Sequence, residues 1–353
     1  MIVVQSPLRV SFIGGGTDFE CFYSRFGGAV LSSTIDKYIY VIVKERFDDK
    51  ICVSYSKRET VDTVDELKHD LVREALKKAG VTSGVEVATM ADVPSEGTGL
   101  GSSSTLLVGL LQALYAYKGE SKPAQDLARD ACEIEIDILG RPIGKQDQYI
   151  AAFGDLRFIS FNGSETIDPE RITLHAEDLR EFGKHIMLFY TGRTREAASI
   201  LTEQKANIDD RIEELCELAQ LARHARDCCL NQDFVEFGLT LHRGWELKKQ
   251  LADRITHPEI DQAYQLARQA GCLGGKICGA GGGGFLLLFC PEERQSAVRH
   301  ALGHMHELPV QLERDGSKVV FDWRWQREES AQRCAVEKTA NTSRDDFRGQ
   351  WSA

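Results

Sequence analysis

Gly97-Thr98-Gly99-Leu100-Gly101, followed by the four hydroxyls Ser102–Thr105, is the segment of this chain best suited to hold an anion. An apolar helical stretch begins at Ser102, so the N–H groups of its first turn lack intrahelical acceptors and lie at the positive end of the helix dipole. Glycine permits close backbone approach, and hydroxyls can cap the helix, bond phosphate oxygens or ligate Mg²⁺. A triphosphate suits all three roles. Pro94, Gly97, Gly99, Leu100, Gly101, Ser102, Ser103 and Ser104 are therefore the candidate contacts for ATP. An ordinary capped helix behind a flexible loop would also produce this pattern. The spacing is neither GxxxxGK[ST] nor a GxGxxG opening a first βαβ unit, so the loop belongs to another class.

Two more glycine-rich segments lie far away in sequence. Pro7-Leu8-Arg9-Val10-Ser11-Phe12-Ile13-Gly14-Gly15-Gly16-Thr17-Asp18 runs from a strand into a turn that ends on a carboxylate. Arg9 or Asp18 could there meet a phosphate or a sugar hydroxyl, although a plain turn closed by Asp18 explains the same residues. Gly274-Gly275-Lys276-Ile277-Cys278-Gly279-Ala280-Gly281-Gly282-Gly283-Gly284 leads into the apolar run Phe285–Phe289. So many glycines carry a large ordering entropy, which close packing against a ligand or another part of the chain would justify. A flexible hinge would more often contain serine and charge.

The elements that must position these segments follow from pattern. Residues 2–13 and 38–55 are rich in β-branched and aromatic residues and read as strands, with a further strand at Val85–Met90. Leu67–Ala79 has amphipathic helical spacing with Gly80 as its stop, and a long apolar helix covers Ser102–Tyr117. A helix at Pro123–Leu139, a loop at Gly140–Gly144, a helix from Lys145 and a strand at Leu156–Phe161 come next. A polar stretch to about Asp178 marks a boundary. The second half begins with strand Ile186–Tyr190, continues with helices between Glu196 and Leu251, and closes with helix Pro258–Ala270 and strands Phe285–Phe289 and Val319–Trp323. From about Gln326 the chain is charged and poor in aliphatics, which predicts a mobile tail.

With 353 residues, 42% of them hydrophobic, two domains are expected. Lys and Arg number 43 against 54 Asp and Glu, so a net charge of -11 gives no general attraction to nucleic acid or anionic lipid. Any anionic ligand must be held locally. No apolar run approaches the roughly 20 residues of a membrane span, and no signal-type cleavage site follows Met1–Gln5, which together predict a cytoplasmic protein. The ten cysteines are scattered without a CxxC pair and read as buried free thiols, as at Cys278 and Cys290.

Together the three glycine segments resemble the motifs of the GHMP kinases, the superfamily of galactokinase, homoserine kinase, mevalonate kinase and phosphomevalonate kinase, over residues 1–325. PLRVSFIGGGTDF, GKQDQY and GGKICGAGGGGFLLLF look more narrowly like its bacterial subgroup acting on the anomeric hydroxyl of D-glycero-D-manno-heptose 7-phosphate. The resemblance implies an α+β fold: a ribosomal protein S5-type domain over 1–178, a ferredoxin-like domain over 179–326, and a tail over 327–353. It implies ATP and Mg²⁺ as cofactors and a small sugar phosphate as the partner, with a heptose 1,7-bisphosphate as the product on the way to nucleotide-activated heptose.

Residue roles implied by the resemblance transfer by position. Galactokinase-type members separate a magnesium-binding Glu from a catalytic Asp by twelve positions, and Glu135 and Asp147 match. Pattern alone would make Glu135 one member of a solvated face with Glu133 and Asp137. Ser103 aligns with a metal-ligating hydroxyl, although Ser102, Ser103 and Ser104 are not separated by sequence. Arg9 matches an arginine near the transferred phosphoryl group, and Asp18 matches an aspartate that bonds sugar hydroxyls. Galactokinases carry an acidic residue and His where this chain has Gly15 and Gly16, which leaves space for a larger anionic substituent. Gly15, Gly16, Thr17, Asp18, Gly279, Gly281 and Gly282 are thus candidate acceptor contacts, with Lys145, Arg193, Arg195, Lys248 and Lys276 as candidate phosphate partners.

Two patterns compete for attention. His300, His304 and His306 have partly metal-like spacing, but a helical face explains them, and Trp245, Trp323 and Trp325 read as core aromatics. Two other functions remain compatible with the motifs: a sugar 1-kinase for fucose, galactose or an N-acetylhexosamine, and a sugar-sensing homologue without turnover.

Overall fold

The computed structural model describes residues 1–94, 97–163, 167–193 and 197–323. In chain order these form β1 (Ile2–Ile13), α1 (Glu20–Phe26), β2 (Gly28–Glu45), β3 (Ile51–Ser54), β4 (Arg58–Val61), α2 (Asp70–Ala79), β5 (Val85–Ala91), α3 (Ser102–Lys118) and α4 (Ala124–Cys132). Then come α5 (Gln146–Phe153), β6 (Leu156–Phe161), β7 (Pro169–Arg171), α6 (Ala176–Lys184), β8 (Ile186–Tyr190), α7 (Ala197–Ala206), α8 (Ile212–Leu230) and α9 (Phe234–Lys248). The chain continues through α10 (Pro258–Gln269), β9 (Gly274–Ile277), β10 (Phe285–Phe289), α11 (Glu292–Ala301), β11 (His306–Glu307) and β12 (Lys318–Asp322).

Among the described residues these strands build two sheets, so the α+β expectation holds. One has the order β12-β1-β2-β5-β3-β4, with β6 also on β2 and β7 on β6. The other is the four-stranded β11-β8-β10-β9. Long β2 is the spine of the first sheet because it pairs with β1 from Ile2↔Val43 to Ile13↔Leu31, with β5 near one end and with β6 near the other. Helix α3 lies against β1 and β2 and buries Leu107, Leu110, Leu111 and Leu114 completely. At roughly 1.5–3 kcal/mol per side chain, these leucines anchor the glycine loop that immediately precedes them.

Several boundaries differ from those read in the sequence. Residues 38–55 are not one strand: β2 begins ten residues earlier, at Gly28, and breaks after Glu45. Its first half carries Ser32, Ser33 and Thr34, all buried, and hydroxyls in a core strand disguise its continuity. Helix α2 starts at Asp70, after a short turn at Val64–Glu66, and ends as expected on left-handed Gly80. The helix expected over Pro123–Leu139 changes character at Glu133, where residues Glu133–Ile138 form a π turn. Strand β12, expected in the second half, returns to the first sheet and pairs antiparallel with β1. Among the three histidines only His300 lies on a helix, since α11 ends at Ala301 and His306 begins β11. Trp245 is core, whereas Trp323 is half exposed. Trp325 and the 327–353 tail lie outside the described residues. The nine described cysteines are all free, and seven are buried.

Candidate active site

The site is assembled where β1, the loop before α3, the π turn, α5 and the β9–β10 loop meet in one cleft of about 430 Å³. Its floor is a backbone crossing. A Cβ on Gly99 would lie 2.4 Å from the Cys278 carbonyl oxygen, and one on Gly279 would lie 2.7 Å from Gly99 Cα. Glycine is required on both sides of this crossing, which supplies the packing reason for the later glycine run.

Gly101 caps α3 in a left-handed conformation (φ 78) without a side-chain hydrogen bond, so the first N–H groups of the helix have no competing cap. Gly97, Gly99, Gly101, Ser102, Ser103 and Ser104 line the cleft there. Pro94 is exposed and outside it, and Leu100 is buried, its carbonyl accepting from Arg9 N–H at 3.1 Å.

The π turn brings Glu135 inward. Its carboxylate is fully buried and accepts from Ser103 Oγ and Ser104 Oγ at 2.5 Å each, from Gln148 Nε2 at 2.7 Å and from Arg141 Nη1 at 3.0 Å. Arg141 Nη1 also donates to Ser103 Oγ, at 2.5 Å. The serines are thereby separated: Ser103 is exposed in the cleft, Ser104 is buried on Glu135, and Ser102 faces Thr98 Oγ1 at 3.3 Å.

Asp147, in the first turn of α5, is gripped by the Nε–Nη2 side of the Arg9 guanidinium. Arg9 Nε and Nη2 donate to the two carboxylate oxygens at 2.7 and 2.6 Å, while Nη1 donates to the Gly99 carbonyl at 2.6 Å. Arg9 is buried, and although burial opposes its charge, Asp147 holds the guanidinium above its ordinary pKa. A carboxylate offers about four lone-pair positions, so Asp147 keeps acceptor capacity toward the cleft after this fork pairing.

Asp18 is also buried, which pushes its carboxyl up; N–H donors from Gly16 and Gln146 oppose the shift and Asp147 adds to it. Gly144 makes this approach possible, since a Cβ there would lie 2.0 Å from Asp18 Oδ2. Lys248 lies across the cleft and donates to the Gly279 carbonyl at 2.6 Å. Burial first, and Arg9 second, lower its pKa to about 8. Lys276 sits behind the lining, and burial followed by Lys248 holds its ammonium well below the usual lysine range.

Some expected contacts do not reach the cleft. Lys145 turns out toward Glu20, at 3.9 Å, and over the Tyr23 ring. Thr17 is consumed in its own turn, donating to the carbonyls of Gly14 and Ala29. Gly282 bonds the Ile255 carbonyl, and Arg193 pairs with Glu259. Arg195 lies outside the described residues. Gly15, Gly16, Asp18, Gly279 and Gly281 do line the cleft. So do Arg141, Gln146 and Gln204, which sequence reasoning missed because single polar residues in loops and helices carry no pattern. A second cavity of about 610 Å³, lined by Tyr55, His69, Thr89, Met90 and Leu106, shares Ser102, Ser103 and Arg141 with the cleft.

The sequence pattern of the GHMP kinases N terminal domain matches residues 67–155, and that of the GHMP kinases C terminal matches residues 225–307. Over 327 residues the chain is 30% identical to D-glycero-alpha-D-manno-heptose 7-phosphate kinase of Campylobacter jejuni, covering 87% of this chain and 95% of that one. This chain is a GHMP kinase. It is similar, at 24% identity over 344 residues, to a galactokinase of Pyrococcus furiosus, covering 85% of this chain and 92% of that one. The crystal structure of a D-glycero-D-manno-heptose 1-phosphate kinase from Bacteroides thetaiotaomicron shares the fold, with a TM-score of 0.75 at 24% identity over 92% of this chain and 100% of that one. As a GHMP kinase the protein is an ATP-dependent sugar phosphotransferase with the two-domain α+β fold of the superfamily. Among the described residues no helix is long and apolar enough to cross a membrane.

Proposed function

We propose that this GHMP kinase transfers the γ-phosphoryl group of ATP to the anomeric hydroxyl of a sugar that already bears a phosphate, with D-glycero-D-manno-heptose 7-phosphate as the acceptor. The observation that carries the reading is the meeting, in one cleft, of an uncapped helix N-terminus, the Glu135–Ser103 oxygens and the Arg9–Asp147 fork. The name of the Campylobacter relative supports the acceptor, as does the absence of a side chain at Gly15.

The α3 N-terminus and Ser102–Ser104 hold the phosphates, and the adjoining cavity at Tyr55, His69 and Met90 takes the base. Arg9 orients Asp147, whose free lone pairs accept the acceptor hydroxyl's hydrogen bond and fix it for attack on the γ-phosphorus. Asp18 holds a neighbouring sugar hydroxyl.

Mg²⁺ fits the donors on Glu135 and Ser103, because carboxylate and hydroxyl oxygens suit a hard cation and the Arg141 guanidinium already bridges these two groups as a cation. Glu135 and Ser103 would hold the ion, which would neutralise charge on the nucleotide phosphates.

The test is ADP release with ATP and heptose 7-phosphate, alongside free heptose, fucose, galactose and N-acetylhexosamines. Heptose 7-phosphate should have the highest kcat/KM; faster use of any unphosphorylated sugar overturns the acceptor assignment, and no ADP release with any sugar supports a sensing role.

A further inference from the structure

Gly15 lacks a side chain at a place where two nitrogen donors and a serine hydroxyl converge. A Cβ built there would lie 3.6 Å from Gln146 Nε2, 3.6 Å from Lys248 Nζ and 3.7 Å from Ser11 Oγ. These are ordinary contact distances, and Gly15 is not among the glycines with positive φ. Neighbouring Gly14 is different: its φ is 94 and its Cβ would lie 1.9 Å from the Ala29 carbonyl oxygen. Backbone and crowding therefore explain Gly14 but leave Gly15 unexplained. Space kept open in front of donors is what an acceptor group on a ligand requires.

The donors are held in place. The hydroxyls of Ser11 and Ser32 both donate to Gln146 Oε1, at 2.9 and 3.2 Å, which fixes the amide with its nitrogen toward Gly15. Lys248, at the end of α9, is 5% exposed, and its hydrogen bond to Gly279 uses one of three ammonium protons. Arg9, Lys248 and Lys276 are buried around this spot with Asp18 and Asp147, and an anion placed there would favour the charged form of both lysines, which burial disfavours.

We propose that Gly15, Gln146 and Lys248 form the subsite for the acceptor's own phosphate, and that Lys248 is the residue that selects phosphorylated over free sugars. This inference rests on the sugar-phosphate reading above. Gln146 is the uncharged partner that sets the phosphate's position, and Ser11 and Ser32 act through it.

The test compares kcat/KM for heptose 7-phosphate and for free heptose in the wild type, Lys248→Met, Lys248→Arg, Gln146→Met and Gly15→Glu. Wild-type enzyme should prefer the phosphorylated sugar, and Lys248→Met should collapse that ratio by on the order of 30-fold or more, chiefly through KM, because one partner of a buried charge pair is lost. Lys248→Arg should retain most of the ratio. Gly15→Glu, which places a carboxylate in uncrowded space beside Lys248, should depress use of the phosphorylated sugar more than that of the free one. Fluorescence titration with an ATP analogue checks that each variant still binds nucleotide; if Lys248→Met fails to fold, Gln146→Met and Gly15→Glu decide the matter. A wild-type preference that survives Lys248→Met, or that survives both other variants, overturns this subsite and leaves the acceptor assignment intact. No preference in the wild type removes both.

Discussion

Asp147 and Glu135 are both carboxylates in one cleft, yet their partners differ: the Arg9 fork holds Asp147, and two serines, Gln148 and Arg141 hold Glu135. Asp147→Asn should lower kcat at least about a hundredfold with little change in ATP affinity, because the amide can neither match the Arg9 fork nor accept in the same way toward the cleft. Single-turnover kinetics with calorimetric ATP titration would check it, and near wild-type turnover would remove Asp147 from the reaction. Glu135→Gln should instead raise the Mg²⁺ concentration needed for half-maximal rate, and an unchanged metal titration would move the ligand elsewhere. Lys248 makes a pH prediction. Its ammonium, with a pKa of about 8, is charged below that pH and neutral above it. Burial and Arg9 favour its neutral form, Asp18, Cys278 and Asp147 favour the charged one, and Lys276 nearby is itself pushed toward neutrality by burial and by Lys248. The kcat/KM for heptose 7-phosphate, which reports the free enzyme, should therefore fall as pH rises through about 8, and Lys248→Arg should move that limb to higher pH. A profile flat to pH 9.5 in the wild type would contradict it. Sequence alone ranked Lys248 no higher than Lys145, because residue type does not say which lysine faces the cleft; Lys145 lies two residues before Asp147 and points at Tyr23.

The helix that carries Glu135 shows why a site can be visible as a motif and invisible as a pattern. Pattern placed Glu133, Glu135 and Asp137 together on a wet face; in the structure Glu135 is fully buried while Asp137 is exposed. The π turn inserts an extra residue per turn, marked by Leu139 N–H bonding the Ile134 carbonyl, and this shifts the register away from the 3.6-residue period. The same limit hid the first half of β2, whose buried hydroxyls interrupt the apolar signature, while β8 and β10, short and wholly aliphatic or aromatic, were legible to the residue. The glycine segments were legible as non-helical from composition, but Gly274–Ile277, read as loop, is strand β9 paired with β10, and the reason each glycine is there was not legible. That reason can be tested at Gly144, which Asp18 overlies. Gly144→Ala should displace Asp18 and raise the acceptor KM by about tenfold or more, through an estimated loss of 1–3 kcal/mol for a displaced buried polar contact, with the ATP KM moving less. Equal effects on both substrates would point to general damage of α5.

At the scale of the whole molecule β12 ties the second half back to the first sheet. β12 closes the edge of β1, and β1 in turn delivers Arg9 to the cleft; Ser317 Oγ meets Ser6 Oγ at 2.6 Å where they join. A chain ending at Ser317 should melt several degrees below one ending at Trp323, since it uncovers the backbone of β1, and thermal denaturation of the two would measure it. Equal melting temperatures would show that β12 is dispensable to the sheet. The crossing of Gly99 with Gly279 has a consequence for recombination. Each backbone occupies the space that the other's side chain would need, so the two loops form a matched pair in the way that a lock matches one key blank. Exchanging only the second half for that of a distant relative would therefore succeed only where the donor keeps glycine at the crossing, and inheriting a new acceptor preference would require Gly15 and Gln146 to travel with Lys248. Chimaeras that lose either glycine would fail at a seam of a few atoms.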